Sequence, residues 1–199
     1  MLNNLKENEI EVATKLINGG LSMAKSSMEQ ILQSPITLKK VAFGIDKEDI
    51  SKFGTKGLNN VSLIKTELMG ELKGSCFLVF SESDVEKINK ACLPAEILSQ
   101  DTAESKMMIM GFLTEIDNMV AAAVITEFAN FLGVDIYGNV PSLHVMHQDK
   151  VNSFLADETT SFDSVIHFKA IFQGDELDIS PDFIWIFNEK FMDKIKEVL

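Results

Sequence analysis

Apolar residues recur at helical spacing through residues 6–33, at Ala13, Ile17, Leu21, Ala24, Met28 and Ile31. That three-to-four-residue rhythm predicts a helix with one buried face. Ser34-Pro35 stops it, since proline cannot continue a helix. Three β-branched and aromatic segments follow as strands: ITLKKVAFGI, VSLIKTELMG and SCFLVFS, the last two joined by a polar ELKG turn. SESDVEKINKA then returns to a helical pattern, with Ser81 placed to cap it.

The plan then starts again. Residues 103–133 form a second long helical pattern, with Gly133 suited to its C-cap. VPSLHVM, SVIHFKAIFQ and DFIWIF follow as strands, QGDELD as a hairpin turn and FNEKFMDKIKEVL as a closing helix. Phe80 and Phe187 open matching segments, Ile88 matches Ile195, and Asn18 matches Asn118. The chain therefore reads as an internal repeat, about residues 5–95 and 103–199, linked by the connector CLPAEILSQDTAES without a Pro/Gly/Ser-rich linker. Each helix–strands–helix unit needs a partner to cover its sheet face. The predicted fold is thus one α+β domain over residues 1–199 with pseudo-twofold symmetry, its two long helices packed on a mainly antiparallel strand layer.

On a wheel of the second long helix, Leu113, Val120, Val124, Phe128 and Phe131 fall opposite Glu115 and form the predicted core face. Near Glu115 lie Gly111, Asn118, Ala122 and Thr126. A carboxylate and a carboxamide three residues apart share a helix face and point at one external object. Small neighbours allow another protein to approach closely; the competing reading of the stripe is a close helix–helix contact within the chain. Phe112 and Met119 flank it, as apolar anchors for a partner or as residues half-covered by a neighbouring element. Asp117 falls near the core face, where it must find a partner or reach solvent.

Composition narrows the function classes. The 199 residues are 46% hydrophobic and 24% charged, ordinary for a globular protein. A formal charge of −12 argues against nucleic acid, whose phosphates are bound by clustered lysine and arginine. The N-terminal MLNNLKENEIEV has no apolar core of a signal sequence, and no apolar run is long enough to span a membrane. The chain reads as soluble and cytoplasmic, with no membrane insertion. Cys76 and Cys92 form no C-x-x-C pair and read as reduced, packed thiols. His144 and His147 lack the spacing of a helical zinc site, so no metal is expected. There is no glycine-rich phosphate loop and no nucleophile elbow.

Glu115-Ile116-Asp117-Asn118, then 22 residues, then Pro141, set in FLTEIDNMVAAAVITEFANFLGVDIYGNVPSLHV, resembles the active-site motif of the CheC/CheX/FliY phosphatases of bacterial chemotaxis. The likeness covers nearly the whole chain, and the full second repeat favours a CheC-like organisation. It implies hydrolysis of the phospho-aspartate of a CheY-type receiver: Asn118 orients the attacking water, Glu115 docks on the receiver's phosphate-site lysine, and Pro141 shapes the entry to the next strand. It implies no cofactor on this chain, with Mg²⁺ in the partner receiver, and a CheD-type deamidase as a further partner. A non-catalytic CheC-like binding module, an adaptor or a regulator of such a deamidase, is the alternative.

Three positions depart from the family pattern. Gly111 stands four before the glutamate, where the family often has Asp or Ser. Asp117 stands where glycine is frequent. In the first half the matching residues are Lys15 and Asn18, with Val41 in place of the proline. Lys15 would repel the receiver lysine, which implies that this degenerate second site is inactive.

Overall fold

The structure, a computed structural model, describes residues 6–50, 53 and 59–199; the first five residues of the N-terminal segment discussed above lie outside them. The N-terminal part comprises α1 (Glu7–Leu32), β1 (Thr37–Gly44), the single-turn α2 (Lys47–Ile50), β2 (Asn60–Gly70) and β3 (Gly74–Ser81). Next come α3 (Glu82–Cys92), the short α4 (Ala95–Leu98) and the long α5 (Ala103–Leu132). The remainder is β4 (Ile136–Gly138), β5 (Ser142–His147), α6 (Val151–Asp157), β6 (Val165–Gln173), β7 (Asp182–Asn188) and α7 (Lys190–Glu197). The strands and helices expected from the sequence pattern are all present. Ser81 caps α3 as expected: its Oγ accepts from the Asp84 N–H at 3.0 Å, and the Asp84 carboxylate in return accepts from the Ser81 N–H.

Among the described residues seven strands form one sheet, in the order β1-β6-β7-β3-β2-β4, with β5 also pairing β2. The pairings are antiparallel. The β2–β3 and β6–β7 hairpins meet at the centre, where β3 pairs β7 and Cys76 lies opposite Trp185. The outer strands cross over: β1 pairs β6, while β4 and β5 pair β2. The first and second parts of the chain are thereby joined in a single sheet.

The two long helices lie together on one face, as predicted. They close at Gly20, where a Cβ would stand 2.8 Å from the Phe128 ring and 3.0 Å from Val124 Cγ1. Phe128 in turn contacts the rings of Phe168, Trp185, Phe187 and Phe191. By length and composition α5 could cross a membrane, contrary to the expectation that no segment is apolar enough. Here Leu113, Val120, Val124 and Phe128 are buried in the core it shares with α1 and the sheet. Its buried stripe advances around the helix and ends on Leu132, so Phe131, expected in the core, is 37% exposed.

The opposite face of the sheet is also covered. Ile50 of α2 and Val151 and Leu155 of α6 pack with Val61, Leu63, Phe77 and Ile184. That second layer was not foreseen, because its helices are too short to show a periodic stripe. It explains why every residue of β3 from Gly74 to Phe80 is buried. Cys76 is buried there and Cys92 is half-buried in α3, both unpaired. Burial raises both thiols, which keeps them protonated and inert.

Candidate active site on the second long helix

Helix α5 begins at Thr102, whose Oγ1 accepts from the Ser105 N–H at 3.1 Å, and ends at Gly133, whose φ of 64° suits glycine. Thirty residues with two sound caps make a rigid support. From it Glu115 and Asn118 project one turn apart into solvent. Neither side chain has a hydrogen bond or ion pair to any described residue. Gly111, Ala122 and Thr126 around them are exposed as well. The stripe of small residues is therefore open surface, and the close helix contact is made at Gly20 instead.

Of the two flanking apolar residues, Phe112 is half-buried against the core and Met119 is 42% exposed. Sequence reasoning missed how much methionine lies nearby: Met107, Met108 and Met110 are 73%, 53% and 48% exposed on the first turns of α5. The string MMIM was the available signal. The large apolar residues of α5 that are buried begin only at Leu113, so these first turns carry their methionines uncovered.

Beside Asn118 lies a cavity of about 270 Å³, lined by Thr66, Ala121, Ala122, Ile125, Thr126, Ile136, Tyr137 and Gly138. One wall is α5 and the other is β2 with the three-residue β4. No sequence pattern announced β4, which is too short for alternation to be read. Gly138 keeps the wall close, since a Cβ there would stand 2.9 Å from Thr66 Cγ2.

Asp117 faces inward and is completely buried. Its Oδ2 accepts from Thr66 Oγ1 at 2.6 Å, and its Oδ1 has no partner. Burial pushes this carboxyl up to about 7, against the opposing pull of the Thr66 hydrogen bond. The need for a partner, foreseen from the wheel, is thus half met.

Pro141 is half-buried immediately before β5, where a residue without an N–H removes no ladder bond. Lys15 and Asn18 are both exposed on α1, and Val41 is 46% exposed on β1 where its register with β6 breaks. Among the described residues no cluster of His, Cys, Asp and Glu is arranged to hold a metal ion.

A Cβ at Gly111 would meet nothing within 4 Å. Glycine inside a helix loses more backbone entropy than alanine, so Gly111→Ala is expected to stabilise the fold by about 0.5–1 kcal/mol. A rise in the urea midpoint at unchanged slope would record this gain. A fall would mean that the outer side of α5 is less open than described.

No family model matches the chain, and no curated protein matches it in sequence. Solved structures do match. FliY from Thermotoga maritima aligns over 100% of this chain and 98% of its own, with a TM-score of 0.65 and 18% identity. The CheX–CheY–BeF3–Mg²⁺ complex from Borrelia burgdorferi aligns over 87% of this chain and 97% of its own, with a TM-score of 0.57 and 16% identity. The FliM middle domain from Vibrio alginolyticus aligns over 94% and 99%, at 0.57 and 13%. The chain has the fold of the CheC, CheX and FliY proteins.

Proposed function

We propose that this chain is a protein aspartyl-phosphate phosphatase acting on a phosphorylated CheY-type receiver in the cytoplasm. The observation that carries the reading is the pair Glu115 and Asn118. They are exposed and one turn apart, with no hydrogen bond or ion pair to any described residue, on a helix face of small residues. A CheX of the same fold in complex with CheY supports the class of partner.

Hydrolysis of an aspartyl phosphate needs an in-line water and neutralised phosphoryl oxygens more than covalent chemistry. The receiver brings Mg²⁺ and a lysine for the charge. What a helper adds is a fixed group to hold the water. Asn118 enters the receiver's site and does so, because an uncharged amide can both donate and accept. Glu115 pairs with the receiver's phosphate-site lysine and sets the docking register. Both roles require reach into another protein, which exposure on a rigid helix provides.

The two roles separate in kinetics. Glu115→Ala is expected to raise KM for the phosphorylated receiver about tenfold, with a smaller change in kcat, because a docking charge acts on binding. Single-turnover decay of labelled phospho-receiver across receiver concentrations measures the split. An unchanged KM with a lower kcat would remove the docking role.

The two-repeat reading of residues 5–95 and 103–199 belongs to the same proposal and makes Lys15 and Asn18 the degenerate copy of the site. Lys15 repels the receiver lysine, so Asn18→Ala should decay phospho-receiver at close to the wild-type rate. A loss equal to that of an Asn118 variant would show that the first site works. Wild-type protein that binds phospho-receivers without speeding their decay would instead be a binding module, such as an adaptor or a regulator of a CheD-type deamidase.

A further inference from the structure

Asp117 lies between Glu115 and Asn118 in sequence but points into the protein, fully buried. Its one hydrogen bond, from Thr66 Oγ1 at 2.6 Å, joins α5 to β2. Thr66 also lines the cavity beside Asn118. This bond, beside the buried side chains of Ile116 and Ala121, ties the turn that presents Asn118 to the sheet below it. The other carboxyl oxygen, Oδ1, is buried with no partner among the described residues. No cation among the described residues compensates the group. The titratable group facing it from the strands is the Cys76 thiol of β3, itself raised by burial and by Asp117. In such surroundings a neutral carboxyl is tolerated, whereas a carboxylate is strongly disfavoured.

We propose that Asp117 is a positioning residue: as the neutral acid held by Thr66 it seats the turn of α5 that presents Asn118, and its ionisation unseats that turn. The kinetic consequence rests on the phosphatase reading; the structural one does not. Burial places the proton loss at about 7, so the change falls in the range where the protein would work. Once charged, Oδ1 needs water or a donor that the apolar core lacks, and the Thr66 bond to Oδ2 does not by itself offset the burial. The relief available is displacement of the turn toward the cavity beside Asn118. Leu113 and Val120, buried in the flanking turns, keep the movement local.

Two measurements test this. In the free chain, the side-chain amide resonances of Asn118 should titrate with a midpoint near 7 in wild type and stay constant in Asp117→Asn. Thr66→Val should move that midpoint upward, since the bond it removes favours the charged form, and Thr66→Ser should restore it. With a cognate phospho-receiver, and receiver self-decay subtracted, wild-type kcat should fall about eightfold between pH 6.5 and 8, following the neutral fraction, with KM little changed. The profile of Asp117→Asn should be level. Asn118 resonances that do not move with pH, or that move equally in Asp117→Asn, overturn the positioning role. If no receiver is dephosphorylated at any pH, the phosphatase reading falls while the resonance titration still decides the role of Asp117.

Discussion

Asn118→Ala is expected to slow the decay of a cognate phospho-receiver about 100-fold at saturation, the scale seen when one preorganised donor is removed from an active site. The fold should be untouched. Asn118 is exposed, has no partner among the described residues, and occupies a helix interior where alanine is the better helix former. A small gain in stability beside a large loss in rate is therefore the expected pair of results. KM should change little, because docking is assigned to Glu115. Single-turnover decay, combined with binding of the phosphorylated receiver, measures both quantities. Retention of more than about a tenth of the wild-type rate would leave Asn118 without the water-orienting role, since a mere contact residue rarely costs more.

The stability of Asp117→Asn should change sign with pH. The Asp117 carboxyl is raised from 3.8 to about 7 in the folded chain. Between those values the folded state holds a proton that the unfolded state has released, so this group's contribution falls as pH rises and is level above about 7. Three pH units correspond to a loss on the order of 4 kcal/mol. Asparagine removes that loss but leaves a buried amide N–H without an acceptor, a penalty of roughly 1–3 kcal/mol. The variant should then be less stable than wild type at pH 4 and more stable at pH 8. Other groups act in the opposite sense, His167 below its ordinary 6.5 and three carboxylates below their own ordinary values. Burial holds His167 below its ordinary value, and hydrogen bonds lower Glu29, Glu71 and Asp178. Those groups add stability that is lost as pH falls, and they are common to both proteins. The difference between the two urea midpoints isolates Asp117, and parallel curves for wild type and variant would show that its carboxyl titrates normally.

The helix wheel read α5 well over its middle and poorly at its ends. Leu113, Val120, Val124 and Phe128 are in the core, and Gly111, Glu115, Asn118, Ala122 and Thr126 are on the surface, as the period of 3.6 requires. Phe131 failed because a straight stripe was assumed for a helix whose buried side advances as it crosses its neighbours. The exposed Met107, Met108 and Met110, on which the wheel was silent, have a related cause. Apolar character predicts burial only where another element is present to cover it, and nothing in the local sequence says where the sheet ends.

What the sequence determined by itself is local. Periodicity, proline, glycine and capping residues act within a few positions, and they set the two long helices, the two hairpins and the shared face of Glu115 and Asn118. Tertiary structure decided what depends on distant partners. It crossed β1 to β6 and β5 to β2, covered the second sheet face with α2 and α6, and built a cavity beside Asn118 from β2 and β4. It also enclosed Asp117 with one hydroxyl, Thr66, that stands 51 positions away in the chain. A carboxyl's charge depends on the polar groups and water around it, and those are assembled only when the chain folds.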